Sequence, residues 1–160
     1  MASDYCSGWA KGGIKLGKNV SAAISNQQLK AIKNMESESH KKGTEMRAAL
    51  LGLSLQSMDQ TATSGEGMER FSDFTRGTLF GNLWYREGLD LKIRTLICVI
   101  TDVAMGVDDE LVIHLEMALR QGWTKTELIE AILHAGAYVG IPRARHAVII
   151  ADKTFLTFKG

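Results

Sequence analysis

Cysteine and proline are nearly absent from this chain of 160 residues, which has two of the first and one of the second. Cys6 and Cys98 lie too far apart for a Cys-x-x-Cys redox pair or half of a zinc site, and two thiols do not make a disulfide scaffold. A reducing, cytoplasmic compartment is therefore expected. With Pro142 the sole proline and the apolar residues recurring at three and four rather than two, the pattern argues against a turn-rich β fold and predicts an all-α one. Charge of one sign is also missing: 19 Lys and Arg face 18 Asp and Glu. The slight basic excess falls in the first 46 residues, so no large field steers polyanions and nucleic acid is not an expected partner. No window approaches the roughly 18 consecutive apolar residues that span a bilayer. The start MASDYCSGWAKGGIKLGK lacks the apolar core of a secretory signal, and the absence of Arg together with Asp4 disfavours a mitochondrial transit peptide, so no membrane partner is expected. There is no Gly-rich phosphate loop, no His-Glu-x-x-His and no Gly-x-Ser-x-Gly, which removes the usual signatures of nucleotide chemistry, metal hydrolysis and serine hydrolysis.

What is present suffices for one domain: 45% of the residues are hydrophobic, and a chain of this length buries roughly two thirds of its unfolded surface. Residues 1–25, with glycines at 8, 12, 13 and 17, read as a flexible amino-terminal arm, and residues 26–160 as a single bundle of about six helices. A polar helical stretch runs from Asn26 to Leu51, turns apolar only near Met46, and ends at Gly52. Ser54 to Gly67 reads as a loop, and Met68 to Trp84 as a helix that Gly77 and Gly81 weaken or open to a close neighbour. Asp90 stands as N-cap of LKIRTLICVITDVAM, which stops at Gly106. Asp108 starts DDELVIHLEMALRQ, whose acidic first turn and Arg120 suit the helix dipole. Thr124 and Glu127 form a capping box for TELIEAILHAGAYV, and Pro142 sits in the first turn of the last helix.

Several side chains have chemical potential. Glu110 and His114 are four apart on one helix, and a carboxylate beside an imidazole orients it as a general acid/base requires; the same spacing also describes an ordinary surface pair. His134 and Tyr138 repeat the spacing on an apolar stretch, which predicts that they face inward, as a hydrogen-bonded core pair or as part of a site. Arg94 interrupts the apolar central helix, where a guanidinium needs an answering anion. That anion is either a substrate carboxylate or one of Glu110, Asp102 and Glu116. Cys98 reads as a core residue rather than a nucleophile. Trp84, Tyr85 and Trp123 sit at helix ends, where aromatics close a core edge or an interface more often than they stack on a ligand.

The run GLDLKIRTLICVITDVAMGVDDELVIHLEMALRQGWTKTELIEAILHAGAYVGIPRARHAVIIAD resembles the carboxymuconolactone decarboxylase family, relatives of the alkyl hydroperoxide reductase D type. The likeness extends over residues 71–155, and GTEMRAALLG resembles the family's upstream helix. It implies a compact all-α bundle assembled as a homo-oligomer, a trimer or hexamer, with sites walled by neighbouring subunits. In the family's peroxidase branch two cysteines precede the helix histidine by seven and four residues; here those positions hold Val107 and Glu110, so the likeness is to the cysteine-free decarboxylase branch. The implied chemistry is loss of carbon dioxide from a small carboxylated lactone or related enolisable acid, with the substrate itself as electron sink and no metal or organic cofactor. The resemblance casts His114 as general acid/base, tuned by Glu110, and Arg94 as a ligand of a carboxylate or the lactone oxygen. His134, Tyr138 and Trp84 are further candidates for substrate contact. Arg143 and Arg145 depart from the small or neutral residues expected after the Gly-x-Pro motif. The same machinery suits isomerisation, cyclisation or dehydration of a polyketide-like intermediate of secondary metabolism, and a non-catalytic oligomeric binding protein is a third expectation.

Overall fold

The computed structural model describes residues 25–53 and 65–159. The expected arm, apart from Ser25, and most of the expected loop 54–67 lie outside the described residues. The chain divides into two compact units, residues 1–37 and 38–160, each described by itself. In the first, Ser25 Oγ accepts from the Gln28 amide while Gln28 Oε1 accepts from the Ser25 amide, a reciprocal cap that starts helix α1 (Asn26–Leu51). The side chains there are mostly exposed, as their polarity predicts.

The second unit takes in the rest of α1, α2 (Glu66–Phe74), a π-helical turn (Thr75–Phe80), a 3-10 turn (Leu83–Tyr85), α3 (Leu91–Met105), α4 (Asp108–Arg120), α5 (Lys125–Val139) and α6 (Ile141–Thr157). No strand occurs among the described residues, and the expected all-α bundle is what is found. The helix expected over 68–84 is instead broken into three pieces. The cause is backbone contact with α1: a Cβ on Gly43 would lie 1.8 Å from the Arg76 carbonyl oxygen, and one on Gly81 2.1 Å from that of Ser39. Ser39 Oγ then donates to the Gly77 carbonyl and receives a bond from Asn82 Nδ2, so the displaced backbone keeps its partners.

The core follows from helical periodicity. Val99 and Val103 of α3, Leu111, Leu115 and Ala118 of α4, and Leu128 and Ile132 of α5 close over an alanine stripe on α6 at 144, 147 and 151. The small stripe lets α5 and α6 cross tightly at Gly136, where a Cβ would stand 2.5 Å from that of Ala144. A second cluster joins Leu50, Trp84 and Met117. The expected caps are present: Asp90 accepts from the Ile93 amide at 2.7 Å, Gly106 ends α3 with φ 72°, Thr124 and Glu127 close their box, and Pro142 lies in the first turn of α6. No described helix is long and apolar enough to cross a membrane.

Candidate functional site

Thr95, Val99, Asp102 and Val103 are the buried residues of α3, and their spacing of four, three and one puts them on one stripe. Asp102 thus points a carboxylate into the bundle from the last turn of its helix, where the negative end of the dipole disfavours it. Its partner is His114 of α4, whose Nδ1 lies 2.5 Å from Asp102 Oδ2. Burial holds the Asp102 carboxyl above the usual carboxylate range; the hydrogen bond and charge of His114 pull it down, and the charge of Glu110 pushes it up again. With Asp102 ionised, Nδ1 is the donor in this bond, which leaves Nε2 as the nitrogen that exchanges a proton.

Beside this pair is a cleft of about 320 Å³, formed where the end of α3 and the starts of α4 and α6 meet and lined by Asp102, Asp108, Leu111, Arg143, His146 and Ala147 among others. On this wall His146 Nε2 lies 2.8 Å from Asp108 Oδ2. The cleft is therefore lined by both members of a solvated imidazole–carboxylate pair, Asp108 and His146, and by the carboxylate of a largely buried one, Asp102, whose partner His114 stands behind it and not in the lining.

The residues singled out from the sequence fall in several places. His114 is half-buried and bonded to a carboxylate, but that carboxylate is Asp102, twelve residues earlier on α3. Glu110 is exposed, and among the described residues no hydrogen bond or ion pair joins it to His114; it reaches the pair through its charge on Asp102. Arg94 donates to the backbone carbonyls of Arg86 at 2.6 Å and Leu89 at 3.2 Å, tying down the segment before α3. None of its three expected carboxylate partners takes that place: Asp102 holds His114, Glu116 holds Arg120, and Glu110 stands exposed. Trp84 is buried, stacks on Phe80 at 6.0 Å and belongs to the second core cluster. His134 and Tyr138 do touch, with ring centroids 5.4 Å apart, but on the outer face of α5 and not inward as expected. The inner face is taken by Leu128, Ile132, Ala135 and Gly136, and Tyr138 is 80% exposed. Burial sets the Cys98 thiol up at about 11, in keeping with a core residue and not a nucleophile.

Sequence reasoning missed Asp102 as the partner of His114, and missed His146 and Asp108 altogether. The signal for Asp102 was its register with Thr95 and Val99 on the apolar stripe; nothing local in the sequence pairs Asp108 with a histidine 38 residues away. Among the described residues no group of three or more His, Cys, Asp or Glu side chains is placed to hold a metal ion.

The sequence model of the carboxymuconolactone decarboxylase family matches residues 69–153. The 4-carboxymuconolactone decarboxylase of Acinetobacter baylyi is 31% identical over 125 residues, which cover 75% of this chain and 89% of that protein. The nitrosuccinic acid decarboxylase of Metarhizium robertsii is 37% identical over 75 residues, covering 47% of this chain and 52% of the relative. An uncharacterised 15.0 kDa protein of Paracoccus denitrificans is 32% identical over 78 residues, 48% of this chain and 58% of its own length.

Proposed function

The chain belongs to the carboxymuconolactone decarboxylase family, and from that premise we propose that it is a cofactor-independent decarboxylase of a small carboxylated lactone or related enolisable acid. The observation that carries this reading is the 2.5 Å bond between His114 and the buried Asp102 at the edge of a cleft. In such an acid the electron pair of the bond to the carboxylate passes into a conjugated carbonyl, carbon dioxide leaves, and an enolate remains to be protonated. His114, held through Nδ1 by Asp102, delivers that proton from Nε2 and recovers it from water. Asp102 takes the orienting part that the sequence offered to Glu110, accepting from Nδ1 and so leaving Nε2 to exchange the proton. The electron sink is the substrate's own carbonyl, so the protein supplies position and a proton. Without Cys-x-x-Cys at 107 and 110 the site has no disulfide to cycle, which favours this reading over a peroxidase.

Two decarboxylase-named relatives support the reaction type. We further propose a homo-oligomer, since Tyr138, Ile141 and Met105 are 80%, 71% and 65% exposed and Ile97, Ile113 and Leu133 are exposed as well. His134 and Tyr138 then belong to a face that a neighbouring copy covers. A cytoplasmic location agrees with the free thiol of Cys98.

The test is carbon dioxide release with product mass for wild type and His114→Ala, on 4-carboxymuconolactone and other carboxylated lactones. Release by the wild type that the folded variant loses is the expected result. A product of unchanged or dehydrated mass, with no release, would move the reading to isomerisation, cyclisation or dehydration by the same dyad. No conversion of any acid would leave a binding protein.

A further inference from the structure

Of the charged groups lining the cleft, each carboxylate has its own imidazole: Asp102 holds His114 and Asp108 holds His146. Arg143 is the remaining charge, and its guanidinium has no hydrogen-bonded or ion-pair partner among the described residues. Its location is otherwise unfavourable, because a cation in the first turn of α6 opposes the helix dipole. Though exposed, the side chain lines the cleft. The guanidinium rests on the bare backbone of Gly106, where a Cβ would come within 2.3 Å of Nη1. Gly106 lacks a side chain because of the left-handed turn that ends α3, and the same bare backbone leaves room for this group. The result is a planar cation with free donors at the edge of an apolar-floored cleft whose other charges are already satisfied.

We infer that Arg143 is a specificity-determining residue of this chain, anchoring in the cleft a substrate carboxylate that the product keeps. This rests on the decarboxylase reading above, and the identity of the anchored group follows from the energetics of that reaction. A guanidinium bound to the departing carboxylate would stabilise it as an anion and lose that interaction as the group becomes neutral carbon dioxide, which slows the step. An arginine bound to a second carboxylate, whose charge does not change, positions the substrate without opposing the chemistry. His146 contributes by occupying Asp108, which would otherwise be a competitor for the arginine within the cleft. The neighbouring Arg145 is exposed and does not line the cleft, so only one of the two arginines after Pro142 takes this role.

The experiment measures binding apart from turnover, on the full chain, with succinate as the probe and the wild type, Arg143→Gln and Arg143→Lys compared by calorimetry. Arg143 is exposed, so both variants are expected to fold, and circular dichroism checks this. Succinate should bind the wild type and bind Arg143→Gln about tenfold more weakly, with Arg143→Lys between them because an ammonium keeps the charge and loses the fork. On a dicarboxylic substrate that the wild type decarboxylates, Arg143→Gln should raise KM about tenfold and leave kcat within about threefold. Esterifying the retained carboxylate should abolish the difference between the two proteins. Failure of the wild type to bind succinate, or equal binding by Arg143→Gln, overturns the anchor, as does a variant that loses kcat with KM unchanged. If carbon dioxide is still released in that case, the decarboxylase reading survives alone. If succinate binds through Arg143 and no acid is decarboxylated, the anion anchor survives and the decarboxylase reading falls.

Discussion

The two walls of the cleft take one carboxylate each, and each carboxylate holds an imidazole, in opposite circumstances. On the α3 wall, Asp102 and the His114 of α4 that it holds have side chains only 10% and 25% exposed; at the meeting of α4 and α6, Asp108 and His146 are 52% and 60% exposed. Asp108 stands in the first turn of its helix, where the dipole favours an anion, and water solvates what the histidine does not. Asp102 stands in the last turn of its helix, against the dipole and out of water. Local propensity would place an acid at 108 and remove one from 102. A group kept where it is costly, bonded to an imidazole and open to a cavity, is the one that the proposed reaction uses.

The largest effect that tests this difference is on turnover. His114→Ala should lower kcat by about 10² to 10⁴-fold, the range for loss of a positioned general acid/base. His146→Ala should leave kcat nearly unchanged and raise KM a few-fold, because Asp108, released from its histidine, competes for Arg143. Steady-state rates of carbon dioxide release on one substrate decide it. Equal losses from the two variants would erase the distinction between the walls, and a larger loss from His146→Ala would reverse it.

The carboxylates give a second contrast, read from stability against pH. Burial raises the Asp102 carboxyl above its ordinary 3.8 in the folded chain, so the folded state binds this proton more tightly than the unfolded one. Its contribution is therefore most favourable below 3.8 and is lost as pH rises through the folded value. Asp102→Asn removes that loss: measured by urea unfolding, its stability relative to wild type should improve as pH is raised through this window. Its turnover should fall about tenfold, since an amide replaces the charge-assisted bond that orients the ring with a weaker neutral one. Asp108→Asn, which breaks an exposed pair, should shift unfolding by less than about 1 kcal/mol with no such trend. A trend in Asp108→Asn and none in Asp102→Asn would invert the assignment.

These pairs also mark where the sequence was legible. Helix ends were, because their determinants are local: the Asp90 side chain caps the Ile93 amide, Gly106 adopts φ 72°, and Thr124 and Glu127 bond reciprocally within four residues. His114 was legible as a chemical group, but its partner was not. Helical spacing nominates Glu110 on the same element, whereas the packing of α3 on α4 supplies Asp102 from another. His134 and Tyr138 were placed inward because their neighbours are apolar, yet apolar residues are common on surfaces, and the alternation within α5 turns both rings out. The broken segment 75–85 escaped for a related reason: its glycines signalled a close approach, but not that the approach would be by the backbone of α1. Arg143 was visible only as a departure from the resembling family; its seat on Gly106 exists only once α3 and α6 are packed.

The smallest effect uses Cys98 as a reporter of the buried wall. Its thiol is pushed up to about 11, first by burial and then by the negative charge of Asp102 one turn along α3. At pH 8 it should therefore alkylate with iodoacetamide roughly a hundredfold more slowly than an ordinary thiol, the rate climbing about tenfold per pH unit toward 11. Peptide mass spectrometry separates Cys98 from Cys6. Because the Asp102 charge is the lesser of the two causes, Asp102→Asn should accelerate the reaction only a few-fold, and Asp108→Asn should leave it unchanged. Acceleration in Asp102→Asn alone means that the carboxylate is ionised beside Cys98 at pH 8, the state in which it orients His114. The same rate in all three proteins means that Asp102 is already neutral there, and the orienting charge proposed for it is absent.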